Sequence, residues 1–158
     1  MQSRLDAYKV APKAAQAMYG LQQYVDSCGL ERSLMELVKT RASQINGCAF
    51  CIDMHTKDAR ALGETEQRLY ALNAWRETPF YSERERAALE WTEGVTLIAE
   101  RHVPEDVYER ATKQFTPEEM VNLTMAIITI NAWNRLSIAF GAVPGSYTPK
   151  IEKAITGS

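Results

Sequence analysis

The sequence predicts an all-helical fold, and three observations support this prediction. Apolar residues recur at helical spacing along most of the chain. Only 8 glycines occur among 158 residues, and they tend to follow helical patterns rather than interrupt strands. Several segments also begin with an N-cap residue or a first-turn proline. Because 46% of the residues are hydrophobic, the chain can bury one core, and we expect a single domain over residues 1–158.

Three helices are predicted in the first half of the chain. The first covers residues 12–25 and opens with a proline. The second covers residues 33–45, and Asn46 and Gly47 supply left-handed residues that stop it. The third covers residues 48–62 and is followed by another glycine. Because the connection between the second and third helices is tight, we expect them to form an antiparallel hairpin.

Four further helices are predicted in the second half. A short helix covers residues 65–74, and a capping box opens a helix over residues 84–99. Another short helix starts at Pro104. The last covers residues 117–140 and has a threonine N-cap, a first-position proline and acidic residues in its first turn. Residues from about 145 to 158 look like an extended C-terminal arm that needs a partner surface to be ordered.

The last helix also predicts self-association. It is apolar on nearly every face between Val121 and Ile130, which is typical of a central or interface helix. A monomer of this size has few places to cover so much apolar surface. We therefore expect a homo-oligomer.

The charge and hydropathy of the chain exclude several classes of protein. Lysine and arginine number 18 against 20 acidic residues, so the net charge of -2 gives no field that would collect nucleic acid or an anionic membrane. The first residues lack the apolar run of a secretory signal, and the longest apolar stretch, Met125 to Ile130, is far below the roughly 20 residues of a membrane span. We expect a cytoplasmic protein with no nucleic-acid or membrane partner. No glycine-rich phosphate loop is found, and we expect no bound cofactor.

The residues that carry chemistry lie where the third helix begins. Cys48, Cys51 and His55 occupy positions i, i+3 and i+7, so they share one helical face. The helix N-terminus carries about half a positive charge, which stabilises a thiolate, and the imidazole one turn after Cys51 can take its proton. The second thiol can condense with the sulfenic acid left by peroxide reduction and close a disulfide. The structural alternative is a pair of buried, inert thiols beside a surface histidine.

Glu36 is a candidate partner of His55. Its apolar neighbours suggest burial, and in the expected hairpin it lies level with Asp58, three residues beyond His55. At 1.5 Å per residue the axial offset from His55 is about 4.5 Å, which a water could bridge. A carboxylate there would fix the tautomer of the imidazole and raise its basicity. The alternative is a solvated glutamate paired with Lys39 or Thr40.

Two effects disagree on which cysteine attacks a substrate. The helix dipole favours Cys48, which is nearer the N-terminus, whereas the imidazole at i+4 favours Cys51. A paired base acts more directly than a dipole worth about 0.3 to 1 kcal/mol. We therefore expect Cys51 to be the nucleophile and Cys48 to be the resolving thiol.

The spacing of these residues resembles a known family. Glu36, eleven intervening residues and then Cys48-x-x-Cys51-x-x-x-His55 resemble the alkylhydroperoxidase AhpD-like branch of the carboxymuconolactone decarboxylase family, and so do residues 131–135. The resemblance implies an AhpD-like helical bundle assembled as trimers or hexamers. It also implies thiol-dependent peroxidase activity, with the glutamate, both cysteines and the histidine forming a proton relay.

The resemblance further implies the partners of such an enzyme. Its substrate would be a hydroperoxide, and its electron donor would be a dithiol or a thioredoxin-like reductant protein. One position departs from the best-studied peroxidases, which carry a second histidine between the cysteines where this chain has Phe50. The difference bears on the rate of turnover and on the reductant protein accepted, rather than on the two-thiol chemistry.

Three other functions fit some of the same residues. Cys48, Cys51 and His55 could hold zinc with Cys28 or Glu36 as the fourth ligand, although three ligands on one helical face fit a tetrahedron poorly. A cofactor-free lactone decarboxylase, the reaction that gives the family its name, would not depend on the cysteine pair. A non-enzymatic redox sensor would form the disulfide but turn over slowly with every donor.

Overall fold

Helices provide the regular structure in the computed structural model, which describes residues 2–149. No strand occurs within those residues, so the predicted all-helical fold class is confirmed. In chain order the elements are α1 (Ala7–Val10), α2 (Pro12–Asp26), α3 (Arg32–Asn46), α4 (Ala49–Ala61), α5 (Glu66–Ala71), a 3₁₀ helix (Leu72–Glu77), α6 (Glu83–Thr96), α7 (Ile98–Arg101), α8 (Glu105–Thr112) and α9 (Pro117–Phe140).

Helix α3 lies at the centre of the bundle and contacts α4, α6 and α9. Every residue from 34 to 40 is buried, whereas a helix at the protein surface exposes one of its faces to solvent. Val38 belongs to the larger apolar core, together with side chains of α2, α6, α8 and α9. Leu37 belongs to a second core beside α4 and α5. This position between two cores forces Glu36 and Lys39 of the same helix into the interior.

The structure differs from the predicted helices in three places. Helix α1 was not predicted, and it forms because the Asp6 side chain accepts a hydrogen bond from the Lys9 backbone N–H. The predicted helix over residues 84–99 ends earlier, at a break near Leu97, and α7 follows. The predicted helix over residues 65–74 tightens after Ala71 into the 3₁₀ helix.

Helix α9 has the start that its sequence predicts. Thr116 and Glu119 form a reciprocal capping box, and a left-handed Gly141 ends the helix. One side is buried, while Val121 and Ile128 are 59% and 45% exposed. The exposed apolar side chains agree with the expected interface role, and the homo-oligomer stays a prediction. No helix within residues 2–149 is long and apolar enough to span a membrane.

Residues 142–149, called the strap below, follow α9 and lie along α4. Lys57 Nζ donates a hydrogen bond to the Tyr147 carbonyl oxygen at 3.1 Å, and Gly145 N–H donates to Asp53 Oδ2 at 3.0 Å. The first part of the predicted arm is therefore ordered against its own chain. The rest of that arm, from residue 150 onward, lies outside the described residues, and the single-domain boundary stays a prediction.

The hairpin turn gives a prediction about stability. Gly47 ends α3 with φ 68° and ψ 30°, and a Cβ there would meet no heavy atom within 4 Å. Because an alanine must adopt the left-handed conformation, we expect Gly47→Ala to lower the free energy of unfolding by about 1 kcal/mol. Gly20→Ala is the matched control, since this position in α2 is equally open but helical, and we expect a gain of about 0.5 to 1 kcal/mol. Urea denaturation measures both, and shifts of the same sign would contradict the argument.

Candidate active site

The two cysteines meet at the start of α4. The left-handed turn at Gly47 directs the chain into Cys48, which is the N-cap, and Cys51 lies in the first turn. Their Sγ atoms are 2.7 Å apart, and both residues are free cysteines that are only 1% exposed. A disulfide can therefore close with a small movement of either side chain.

The hydrogen bond between the two thiols separates their acidities. The Cys51 thiol lowers the pKa of Cys48 to about 6 against the opposing effect of burial, and the Cys51 backbone N–H acts in the same direction. The same hydrogen bond, together with burial and the charge on Cys48, raises the pKa of Cys51 far above its usual range. The short contact thus favours one thiolate and one thiol in the pair, and the pKa shifts favour the thiolate on Cys48.

The pKa shifts favour Cys48, whereas the sequence argument gives the nucleophile to Cys51, so the order of attack stays a prediction. The sequence argument weighed the helix dipole against His55 and left out the contact between the sulfurs. In the structure His55 forms its hydrogen bond with Glu36, and within residues 2–149 no hydrogen bond joins it to either sulfur. The thiol–thiol contact and the Cys51 backbone N–H are the groups that lower the pKa of Cys48.

The ionisation of this pair is directly measurable. We expect the reduced protein to gain one thiolate per chain with a midpoint near pH 6, seen as ultraviolet absorbance of the thiolate. Cys51→Ala removes the donor, so the midpoint should rise towards the usual value of a thiol. Cys28→Ser is the control, because Cys28 packs against the larger core and should leave the midpoint unchanged. A midpoint that stays near 6 in Cys51→Ala would disprove the role of the thiol–thiol contact.

Glu36 and His55 form a buried pair beside the cysteines. Glu36 Oε2 lies 2.7 Å from His55 Nδ1, so the contact is direct rather than bridged by water. Lys39 Nζ donates to Glu36 Oε1 at 2.9 Å, so the alternative partner from the sequence is also present. Burial raises the pKa of Glu36. This effect is outweighed by the hydrogen bond and charge of His55 and by the Lys39 ammonium, so the pKa of Glu36 lies below its usual range. The carboxylate is ionised and fixes the orientation of the imidazole.

Asp58 lies beside this pair. Within residues 2–149, the side chains of Glu36, His55 and Asp58 form the group that could hold a metal ion. Their ligand atoms lie within 4.8 Å of one another. However, Glu36 already accepts from Lys39 and Asp58 accepts from Tyr147, and the Lys39 ammonium repels a cation. Neither cysteine belongs to the group, so the zinc site considered from the sequence is not assembled in the described part of the chain. The group fits proton transfer better than metal binding.

Two polar residues of α9 that the sequence argument missed complete the surroundings of the sulfurs. Ser137 Oγ lies 3.8 Å from Cys51 Sγ, and the fully buried Asn134 donates to Ser43 Oγ at 3.0 Å. Both side chains lower the pKa of Cys48. The two residues lie three positions apart and so share one face of α9, which was the available signal.

An apolar wall closes the other side of the sulfurs. Phe50 and Trp133 are half-buried and pack against the cluster of Ala42, Ile130 and the two cysteines. Phe50 therefore places a ring beside the thiols, at the position where the family resemblance expects a histidine. The site offers one thiolate, one thiol and an apolar approach.

Comparison with known proteins shows the family and the fold of the chain. Residues 12–94 match the model of the carboxymuconolactone decarboxylase family. The uncharacterized protein YdfG of Bacillus subtilis strain 168 is 48% identical over 141 residues, which cover 89% of this chain and 96% of YdfG. A solved structure of ATU0492 from Agrobacterium tumefaciens matches with a TM-score of 0.89 at 44% identity, over 92% of this chain and 100% of that one. ATU0492 is a protein of unknown function that is described as a candidate antioxidant defence protein AhpD. An uncharacterized peroxidase-related protein of Silicibacter sp. TM1040 shares the fold, with a TM-score of 0.77 at 21% identity over 89% of this chain and 74% of that one.

Proposed function

Because the chain belongs to the carboxymuconolactone decarboxylase family, we propose from its cysteine pair that it is an AhpD-like peroxidase, which reduces hydroperoxides through a Cys48-Cys51 disulfide. The observation that carries the proposal is the 2.7 Å separation of the sulfurs of two free, buried cysteines. The description of ATU0492 as a candidate antioxidant defence protein supports the same reading.

The first chemical step breaks the oxygen–oxygen bond. The Cys48 thiolate attacks the terminal oxygen of the hydroperoxide, which forms a sulfenic acid on Cys48 and releases an alkoxide. The alkoxide takes the proton of the Cys51 thiol and leaves as the alcohol. Two electrons pass from the sulfur to the peroxide, and Cys51 becomes a thiolate.

The second step closes the disulfide. The Cys51 thiolate attacks the Cys48 sulfur, a sulfur–sulfur bond forms, and the hydroxyl group leaves as hydroxide. A second proton converts the hydroxide to water, and His55 supplies it while Glu36 holds the imidazole. The short distance between the sulfurs makes this step faster than further oxidation of the sulfenic acid.

An external dithiol then restores the two thiols. It attacks the Cys48-Cys51 disulfide, passes through a mixed disulfide, and leaves oxidised. The donor is either a small dithiol or a thioredoxin-like reductant protein. Because both sulfurs are only 1% exposed, the donor reaches them once the half-buried rings of Phe50 and Trp133 move aside.

The test is the steady-state consumption of an organic hydroperoxide with dithiothreitol or reduced thioredoxin as the donor. We expect turnover by the wild-type protein and none by the double variant Cys48→Ser, Cys51→Ser. Cys28→Ser should keep full activity, because this residue packs against the larger core. Equal consumption by the wild-type protein and the double variant would overturn the peroxidase proposal.

A second candidate function rests on the observation that Glu36 and His55 are hydrogen-bonded to each other and, within residues 2–149, to neither sulfur. Such a pair can act as an acid and base in a decarboxylation that needs no cofactor, as the family name suggests. Carboxymuconolactone is the probe for this reaction. Its conversion by the double cysteine variant, with no peroxide consumption by the wild-type protein, would favour the second candidate.

A further inference from the structure

The strap brings a tyrosine to the acid–base pair. The Tyr147 hydroxyl donates to Asp58 Oδ1 at 2.7 Å, across 89 residues of sequence. Both side chains are half-buried between the strap and α4. The backbone contacts of the strap with Lys57 and Asp53 do not involve this hydroxyl. The Tyr147 hydroxyl therefore makes a specific contact within a strap that is already held in place.

Asp58 in turn lies beside Glu36 and His55, with the ligand atoms of the three within 4.8 Å of one another. Burial raises the pKa of Tyr147, and its hydrogen bond to Asp58 and the charges of Asp58 and Glu36 raise it further, so the hydroxyl stays protonated and can donate. The charged and titratable groups around Asp58 come from three elements: Glu36 and Lys39 of α3, His55 and the Lys57–Asp53 pair of α4, and Tyr147 of the strap.

Building on the peroxidase proposed above, we propose that Asp58, held in place by Tyr147, is a positioning residue that forms a second carboxylate of the proton relay at His55. Asp58 and Glu36 together hold the imidazole ring, and this ring supplies the proton for the departing hydroxide. The Tyr147 hydroxyl satisfies the outer oxygen of Asp58 and keeps the carboxylate from turning to solvent. The strap thus links the C-terminal end of the described chain to the chemistry on α4.

The experiment compares Tyr147→Phe with Tyr70→Phe, which removes a hydroxyl from a tyrosine that is 76% exposed. The readout is the rate of disulfide formation after mixing with hydroperoxide, measured over a range of pH. We expect Tyr147→Phe to slow the reaction by about three- to tenfold, the effect of one hydrogen bond. The shape of its pH profile should also change, because the hydrogen bond of Tyr147 holds the Asp58 carboxylate beside the imidazole.

A double-mutant cycle with Asp58→Asn separates this role from a general loss of structure. If Tyr147 acts through Asp58, the double variant is no slower than Asp58→Asn alone. Additive losses, or a wild-type pH profile in Tyr147→Phe, would overturn the inference.

A second readout does not depend on peroxide turnover. The chain has two histidines, so the ring nitrogen signals of His55 can be followed by NMR, with His102 as the internal control. We expect Tyr147→Phe and Asp58→Asn to move the His55 signals and to leave those of His102 unchanged. If the wild-type protein forms no disulfide, the peroxidase proposal fails, but the NMR measurement still tests the placement of Asp58. Unchanged His55 signals in both variants would disprove the placement of Asp58 beside His55.

Discussion

The Cys48→Ser variant is expected to lose hydroperoxide reduction by about 10³-fold or more, because it lacks the sulfur that carries the negative charge. The remaining Cys51 cannot substitute for it. Burial still raises the pKa of the Cys51 thiol in this variant, and a serine at position 48 is not a nucleophile at neutral pH. Hydroperoxide consumption under excess dithiol measures the loss.

The Cys51→Ser variant should fail at a different step. Its Cys48 still attacks the hydroperoxide, but no second thiol can close the disulfide, so we expect one sulfenic acid per chain that a dimedone probe labels on Cys48. The opposite result would support the order that the sequence suggested. In that case the probe would label Cys51 in the Cys48→Ser variant and would not label Cys48 in the Cys51→Ser variant. The labelled peptide therefore assigns the two roles independently of the overall rate.

Glu36→Gln is expected to have the next largest effect, a fall in the rate of disulfide formation of about 10²-fold. Glu36 orients His55 through the 2.7 Å contact, and glutamine keeps the shape of the side chain but loses its charge. Glu77→Gln is the control, because Glu77 is exposed on the 3₁₀ helix. A Glu36→Gln variant with the wild-type rate would remove this glutamate from the relay.

The same substitution should also destabilise the fold, by about 1 to 3 kcal/mol near neutral pH, because it leaves the buried Lys39 ammonium without its counterion. The pKa of Glu36 is lower in the folded chain than its ordinary value of 4.5. The ionised carboxylate therefore stabilises the fold fully above about pH 4.5, and this contribution is lost as the pH falls through the folded pKa. The stability difference between the wild-type protein and Glu36→Gln should therefore shrink below about pH 4.5. A difference that grows on acidification would contradict the ion pair.

The sequence predicted the elements whose boundaries are set by local chemistry. The capping box at Thr116, the glycine stops at Gly47 and Gly141, and the hairpin between α3 and α4 all appear where the local signals place them. Helical spacing was enough to place Glu36 level with Asp58 and close to His55. The short helix α1 and the break near Leu97 were missed, because four-residue elements have too few apolar positions to show a period.

The site was harder to predict where it depends on contacts between distant segments. Burial of α3 on both sides brings Glu36 directly onto His55, closer than a straight hairpin suggests. The acidity of Cys48 depends on the sulfur–sulfur contact and on two side chains of α9. The contact of Tyr147 with Asp58 joins residues 89 positions apart, and no local pattern encodes it.

The most direct test of the central claim is a single turnover. Reduced, metal-free protein is mixed with one equivalent of an organic hydroperoxide, quenched at timed intervals, and analysed by peptide mass. The account predicts a disulfide between Cys48 and Cys51 within seconds, with Cys28 left reduced. If both thiols of the pair remain reduced for many minutes while the fold is intact, the account of this site as a peroxidase is wrong.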